Sequence, residues 1–231
     1  VKMEVLRNIA PKDKFLERVR KLCDEKGIIL IFDECTSGFR ESYGGLHKNY
    51  KVFPDMAMFG KALGNGYAIT AIIGRRSIME AAQSSFISST FWTERIGPTA
   101  ALKTLEVMKK EESWKLISNI GRSVRMKWKE LANLYDIDIN NFGLDALAGF
   151  SFQSHLGQRY KTYITQEMLK RGYLAGTSFY ASTKHSQEII NGYFDNLEPI
   201  FKKIADCEKG KNSIDKLLKG PISHSGFKRL N

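Results

Sequence analysis

An uninterrupted apolar run, Ile28-Ile29-Leu30-Ile31-Phe32, ends abruptly in two carboxylates, Asp33-Glu34. Without a polar break it suits a parallel strand buried on both faces, and such strands belong to sheets flanked by helices. The residues before it fit that arrangement. From Lys12 to Lys26, Phe15, Leu16, Val19 and Leu22 fall at helical spacing, and Gly27 supplies a stop. Two further strands are predicted over Asp55 to Phe59 and Tyr67 to Ile73, with glycine-rich turns between them and a helix from Arg76 to Gln83. Strands alternating with helices define an α/β unit.

Past Pro98 the pattern changes. A helix is predicted over Thr99 to Lys110. Trp114 to Tyr135 carries Ile117, Ile120, Val124, Leu131 and Leu134 at three- and four-residue steps, as one long amphipathic helix or two joined ones. Strands over Leu147 to Gln153 and Leu174 to Tyr180, with helices over Thr165 to Arg171 and Ser186 to Cys207, complete an α+β pattern. A domain change is expected near residue 111, giving segments 1–110 and 111–231. The length of 231 residues corresponds to about one and a half domains.

Composition excludes several classes. With 42% hydrophobic residues the chain can bury a core, which argues against intrinsic disorder. Cys23, Cys35 and Cys207 are too few and too scattered for a disulfide framework or a zinc pair, which fits a reducing, cytoplasmic compartment. The run Gly27 to Phe32 is too short to span a bilayer, and Val1-Lys2-Met3-Glu4 leads into no signal-peptide core. The net charge of +11 comes from dispersed residues. Lys216, Lys219, Lys228 and Arg229 lack the interleaved aromatics of a nucleic-acid platform, Phe227 apart. A basic nucleic-acid module is therefore the weakest of the functional readings. The opening at Val1, which enters a structured pattern at once, reads as a missing front half.

Two local signals carry chemistry. In open α/β sheets ligands bind beyond the carboxyl ends of strands, where Asp33 stands. Its alternative duties are to cap the next helix or to pair with Arg40. The second signal is Phe59-Gly60-Lys61-Ala62-Leu63-Gly64-Asn65-Gly66-Tyr67. This superficially resembles a phosphate-binding loop, but Ala62 stands where Ser or Thr is needed and the upstream glycine is absent. A lysine held by a loop near a carboxylate can instead serve as a Schiff-base nucleophile, or it is a solvated loop residue. His47, His155, His185 and His224 stand singly, without ligand spacing, and read as surface or supporting residues.

Taken together, Ile31-Phe32-Asp33-Glu34-Cys35-Thr36-Ser37-Gly38-Phe39-Arg40, Pro54-Asp55 and the stretch around Lys61 resemble the signature of class III pyridoxal-phosphate-dependent aminotransferases. The branch nearest by eye is that of glutamate-1-semialdehyde 2,1-aminomutase. Lys61 follows Asp33 by 28 residues, a separation and order that suit the family. The resemblance implies a fold-type-I transferase, with part of the large domain over 1–110 and the small C-terminal domain over 111–231. It implies pyridoxal 5'-phosphate as cofactor, held through a Schiff base by Lys61, which also moves the substrate proton. Asp33 would keep the pyridine nitrogen protonated, so that the ring accepts electrons.

Ser88-Ser89-Thr90-Phe91-Trp92-Thr93-Glu94-Arg95-Ile96-Gly97-Pro98 is the third matching stretch. In the family a threonine five residues before this proline binds the cofactor phosphate of the neighbouring subunit. Thr93 keeps that spacing and implies a homodimer; Thr90 is the runner-up, and capping of the next helix is Thr93's other possible duty. Cys35 takes the place of a valine that packs on the cofactor ring. Val1-Lys2-Met3-Glu4 resembles a family strand, though Val5 replaces its proline. Gln166 to Gly172 and His185-Ser186 resemble the family's small domain. The phosphate loop that precedes these motifs in the family falls before Val1.

The implied reaction passes an amino group between an amine or amino acid and an oxo acceptor. An intramolecular aminomutase and a chain that cannot hold the cofactor by itself are the alternatives.

Overall fold

The computed structural model describes residues 10–224. In chain order the elements are α1 (Phe15–Lys26), β1 (Ile31–Asp33), α2 (His47–Tyr50), β2 (Met56–Phe59), β3 (Ala71–Gly74), α3 (Arg76–Met79), α4 (Ile96–Glu111), α5 (Ser113–Leu134), β4 (Ile139–Leu144), β5 (Leu147–Phe152), α6 (Gly157–Lys170), β6 (Ser178–Tyr180), α7 (Gln187–Glu208) and α8 (Ile214–Leu217). The strand expected over Val1 to Glu4 lies outside the described residues, as do Phe227, Lys228 and Arg229. The chain divides into two compact units, residues 1–118 and 119–231, with the division inside α5.

In the first unit β1 runs parallel to β2, with Asp33 opposite Met58, and β3 lies antiparallel on the far side of β2. Helix α1 stops at Gly27, whose φ of 62° is the left-handed C-cap geometry a glycine adopts freely. The chain then turns back so that Leu16 and Cys23 of α1 pack on Leu30, Phe32 and Val52. A second cluster joins Ala57 and Phe59 of β2 to Leu63 and to Ala101 of α4.

The Ile28–Phe32 run is a correction. Only Ile31 to Asp33 form the strand, and Ile28, Ile29 and Ile31 are about half exposed while Leu30 and Phe32 are buried. Successive strand side chains point to opposite faces. Helix α1 covers one face, and no described residue seals the other.

Asp55 fastens the start of this sheet. Its carboxylate accepts the Leu30 N–H at 2.8 Å and pairs with Arg20 at 2.9 Å and Arg75 at 3.2 Å. Burial alone would raise its pKa, but the Leu30 amide and the two guanidinium groups outweigh it and hold the carboxyl below the ordinary range. A depressed folded-state pKa stabilises the fold above the unfolded value, near 3.9, and that contribution is lost as the pH falls through the folded value. Acid titration of Asp55→Asn, followed by circular dichroism, should therefore show a less stable protein at pH 7 whose stability falls less steeply below about pH 4.

In the second unit β4, β5 and β6 form an antiparallel sheet. Helices α5, α6 and α7 supply Val124, Trp128, Tyr160, Ile164, Met168, Leu197, Ile200, Phe201 and Ile204 to one core with Phe150 and Phe152. Trp128 is fully buried, donates Nε1–H to the Tyr193 hydroxyl at 2.9 Å, and has its ring 4.8 Å from Phe150. In strand β4, Asn140-Asn141 and Gly143 carry turn chemistry. Six paired positions with β5 override that local preference. Helix α6 begins eight residues before the predicted Thr165, because its β-favouring Tyr160, Tyr163 and Ile164 disguise a helical face. Ser186 caps α7 by accepting the Ile189 N–H.

Candidate active site

Because β1 and β2 are parallel and in register at Asp33 and Met58, their carboxyl ends lie side by side. Asp33 closes β1, while β2 ends at Phe59 and the chain passes through Gly60 to Lys61. Two groups 28 residues apart in sequence thus reach the same edge of the sheet, the end at which α/β folds bind ligands.

Asp33 is half-buried. Its Oδ1 accepts the Cys35 N–H at 3.0 Å, and Oδ2 has no partner among the described residues. Among the described residues Asp33 caps no helix and makes no ion pair with Arg40. A carboxylate with one oxygen committed and the other open is fixed in direction and still able to receive an N–H. Cys35 is half-buried, and a Cβ built on Gly60 would stand 3.0 Å from its Sγ, so the thiol lies against the backbone just before the lysine.

Lys61 is exposed, and its Nζ donates to the Thr36 Oγ1 at 2.5 Å. Its φ of 43° places the backbone in the left-handed region. Thr36 was absent from the residues singled out as the site. Its place three residues after Asp33, within the quoted motif, was the available signal.

Thr93 sits exposed in the turn before α4, with Thr90 in the same turn. The helix start is closed by the neighbouring Glu94, which accepts the Ile96 N–H at 2.5 Å and the Gly97 N–H at 3.3 Å. The capping duty considered for Thr93 therefore belongs to Glu94. No hydrogen bond among the described residues links Thr93 to Asp33, Cys35 or Lys61.

Two further groups lie beside the site. Glu34 is fully buried, and His47, expected at the surface or in support, is buried against it with Nδ1 3.0 Å from Oε1. The other histidines are unrelated to these groups. His185 stacks on Phe179 at 4.7 Å and accepts the Ser182 N–H, with burial pushing its pKa down, while His155 and His224 are exposed. Among the described residues no group of three or more His, Cys, Asp or Glu is placed to hold a metal ion. No described helix is long and apolar enough to cross a membrane.

Comparison with known proteins agrees with this geometry. The class-III aminotransferase family matches residues 8–182. A 3-aminobutyryl-CoA aminotransferase from Cloacimonas acidaminovorans is 35% identical over 157 residues, covering 68% of this chain and 38% of the relative. A glutamate-1-semialdehyde 2,1-aminomutase from Hyperthermus butylicus is 27% identical over 213 residues, covering 85% of this chain and 50% of the relative. The chain thus spans half or less of the length of these curated relatives.

Among solved structures, the Sphingopyxis sp. MTA144 FumI protein in its PLP internal aldimine form superposes with a TM-score of 0.79 at 21% identity, over 88% of this chain and 50% of that one. An omega-transaminase from Sphaerobacter thermophilus gives 0.73 at 20% identity, over 83% and 48%. At these identities the superpositions establish a shared fold, that of the fold-type-I transaminases. With the motif residues gathered at one sheet edge and the family match spanning most of its length, the chain belongs to the class-III aminotransferases.

Proposed function

We propose that this chain carries the lysine and the ring-nitrogen carboxylate of a pyridoxal 5'-phosphate-dependent aminotransferase. Its substrates are a small amine or amino acid as donor and an oxo compound as acceptor. The observation that carries the reading is the pairing at one sheet edge of the Lys61 amine, anchored on Thr36, with the open Oδ2 of Asp33.

The donor set fits the cofactor. Lys61 offers a primary amine for an aldehyde, and Asp33 offers a fixed carboxylate for a protonated pyridine nitrogen. When bound, pyridoxal phosphate supplies an electron sink for the pair of electrons left when the substrate α-carbon loses its proton. Lys61 is the group that takes up and returns that proton, since an exposed amine on a flexible stem can reach it and cycle between charge states. Asp33 would accept the ring N–H and keep that proton in place through a charge-assisted hydrogen bond. Thr36 receives the idle amine, and Cys35 fills space beside Gly60.

Mixing the purified chain with pyridoxal phosphate should produce a yellow absorbance band. Borohydride reduction followed by peptide mapping should then place the pyridoxyl group on Lys61. No band, repeated with a longer chain extended upstream, would overturn the enzyme reading; a band from the longer chain only would assign part of the cofactor grip to those added residues. Trapping of free oxo product during turnover separates amino transfer between two substrates from the intramolecular aminomutase reading.

The chain is further proposed to act as a homodimer in which Thr93 reaches the cofactor phosphate of the neighbouring subunit. Phe86, Ile87, Phe91, Trp92 and Ile96 are all more than half exposed around Thr93, an apolar stretch suited to burial against another copy. Changing Phe91 and Trp92 together to Ser should weaken self-association by roughly 30-fold or more per aromatic, read by light scattering across a dilution series. Mixed dimers of Lys61→Ala and Thr93→Val subunits should recover activity that neither variant shows alone, because one of their two sites is intact. Three free cysteines, two of them buried, support a reducing, cytoplasmic setting.

A further inference from the structure

The strongest unexplained feature lies one residue from Asp33. Glu34 has no solvent exposure, and a buried carboxylate persists only where donors replace its lost water. Here Oε2 accepts the Ser37 hydroxyl at 2.5 Å, Oε1 accepts the His47 backbone N–H at 2.8 Å, and His47 Nδ1 lies 3.0 Å from the same oxygen. These donors come from positions 3 and 13 residues downstream, so a single side chain gathers the 34–37 turn and the far end of the 38–47 loop onto the tip of β1.

The surroundings are built for this arrangement. A Cβ on Gly45 would stand 2.3 Å from His47 Nδ1 and 3.0 Å from Glu34 Oε1, so only glycine admits the imidazole. The ring is further held by Phe32 at 5.8 Å and Phe53 at 5.9 Å between centroids. The loop is closed by Gly38 N–H on Glu34 O, Phe39 N–H on Gly44 O and the Ser42 hydroxyl on Gly45 O.

The geometry points to Glu34, Ser37 and His47 as a positioning cluster for the cofactor site, in which His47 donates Nδ1–H to Glu34. The inference rests on the reading of Asp33 and Lys61 as the pair that holds the cofactor. Glu34 lies between Asp33, which receives the ring nitrogen, and Thr36, which receives the lysine amine. Fixing the backbone at 34 and 37 therefore sets the direction of both. The three act through Asp33 and Thr36, and a shift of about 1 Å at such a support can cost up to roughly a hundredfold in rate.

Two measurements on the whole chain test this. Long-range proton–nitrogen spectra of the unloaded protein should show His47 with Nδ1 protonated and slow to exchange. In the second, pyridoxal phosphate and cyanoborohydride label the protein at a temperature where circular dichroism shows every variant folded, and the labelling rate is read at the Lys61 peptide. Glu34→Gln and His47→Leu should slow labelling by at least about tenfold. His47→Asn, whose amide N–H replaces Nδ1–H, should stay within about twofold of the parent.

An unprotonated Nδ1 overturns the cluster, as does a His47→Leu rate equal to that of His47→Asn. If Glu34→Gln does not fold, the histidine pair decides alone. If the unsubstituted chain takes no label, the labelling is repeated on the chain extended upstream; no label there either removes the cofactor reading separately, and the nitrogen spectrum decides whether the cluster exists.

Discussion

Replacing Lys61 with Ala is expected to lower turnover by roughly 10²–10⁴-fold and to abolish the pyridoxyl label at that position. The chain's other basic side chains should not compensate. Lys61 combines three properties: a place where β2 hands over to the glycine-rich turn, an amine docked 2.5 Å from Thr36, and a neighbouring strand that ends in Asp33. Lys61→Arg is the informative companion. It keeps the positive charge but cannot deprotonate under ordinary conditions, so it should be as inactive as the alanine variant if the residue moves a proton. Retention of activity by either variant, measured in steady state with the label mapped in parallel, would remove Lys61 from the mechanism.

The second large effect belongs to Asp33→Asn, with an expected loss of roughly 10²–10³-fold in kcat/KM and little change in urea midpoint. The amide oxygen can still accept the Cys35 N–H, so the turn that now fixes Asp33 Oδ1 persists. What changes is the outward group, where an N–H donor replaces an anionic acceptor and can no longer hold a protonated ring nitrogen. A variant that is both inactive and unstable would mean that Asp33 serves the fold; one that stays active within a few-fold would place the ring-nitrogen partner elsewhere.

The elements around Lys61 and Asp33 were legible because their signals are local. A stop glycine, an apolar run and a glycine-flanked lysine each sit within about ten residues, and parallel pairing then brings the two motifs to one edge. What the sequence concealed was non-local. His47 looks like a stray histidine until a carboxylate 13 residues earlier is seen against it, and β4 looks like a turn until β5 pairs with it. The half-exposed Ile28, Ile29 and Ile31 teach the opposite lesson, since an apolar run records a strand's tolerance for burial and not which of its faces is covered.

The left-handed backbone at Lys61 makes this position a point of conflict between endurance and chemistry. A side chain at φ 43° works against the fold by roughly 1–2 kcal/mol relative to a residue indifferent to that geometry. Lys61→Gly should therefore melt at a higher temperature than the unsubstituted chain while losing its capacity for labelling. An ordering of melting temperatures in which the inactive glycine variant outlasts both the parent and Lys61→Ala would show, without any substrate in hand, that the lysine is kept for what it does and not for what it stabilises.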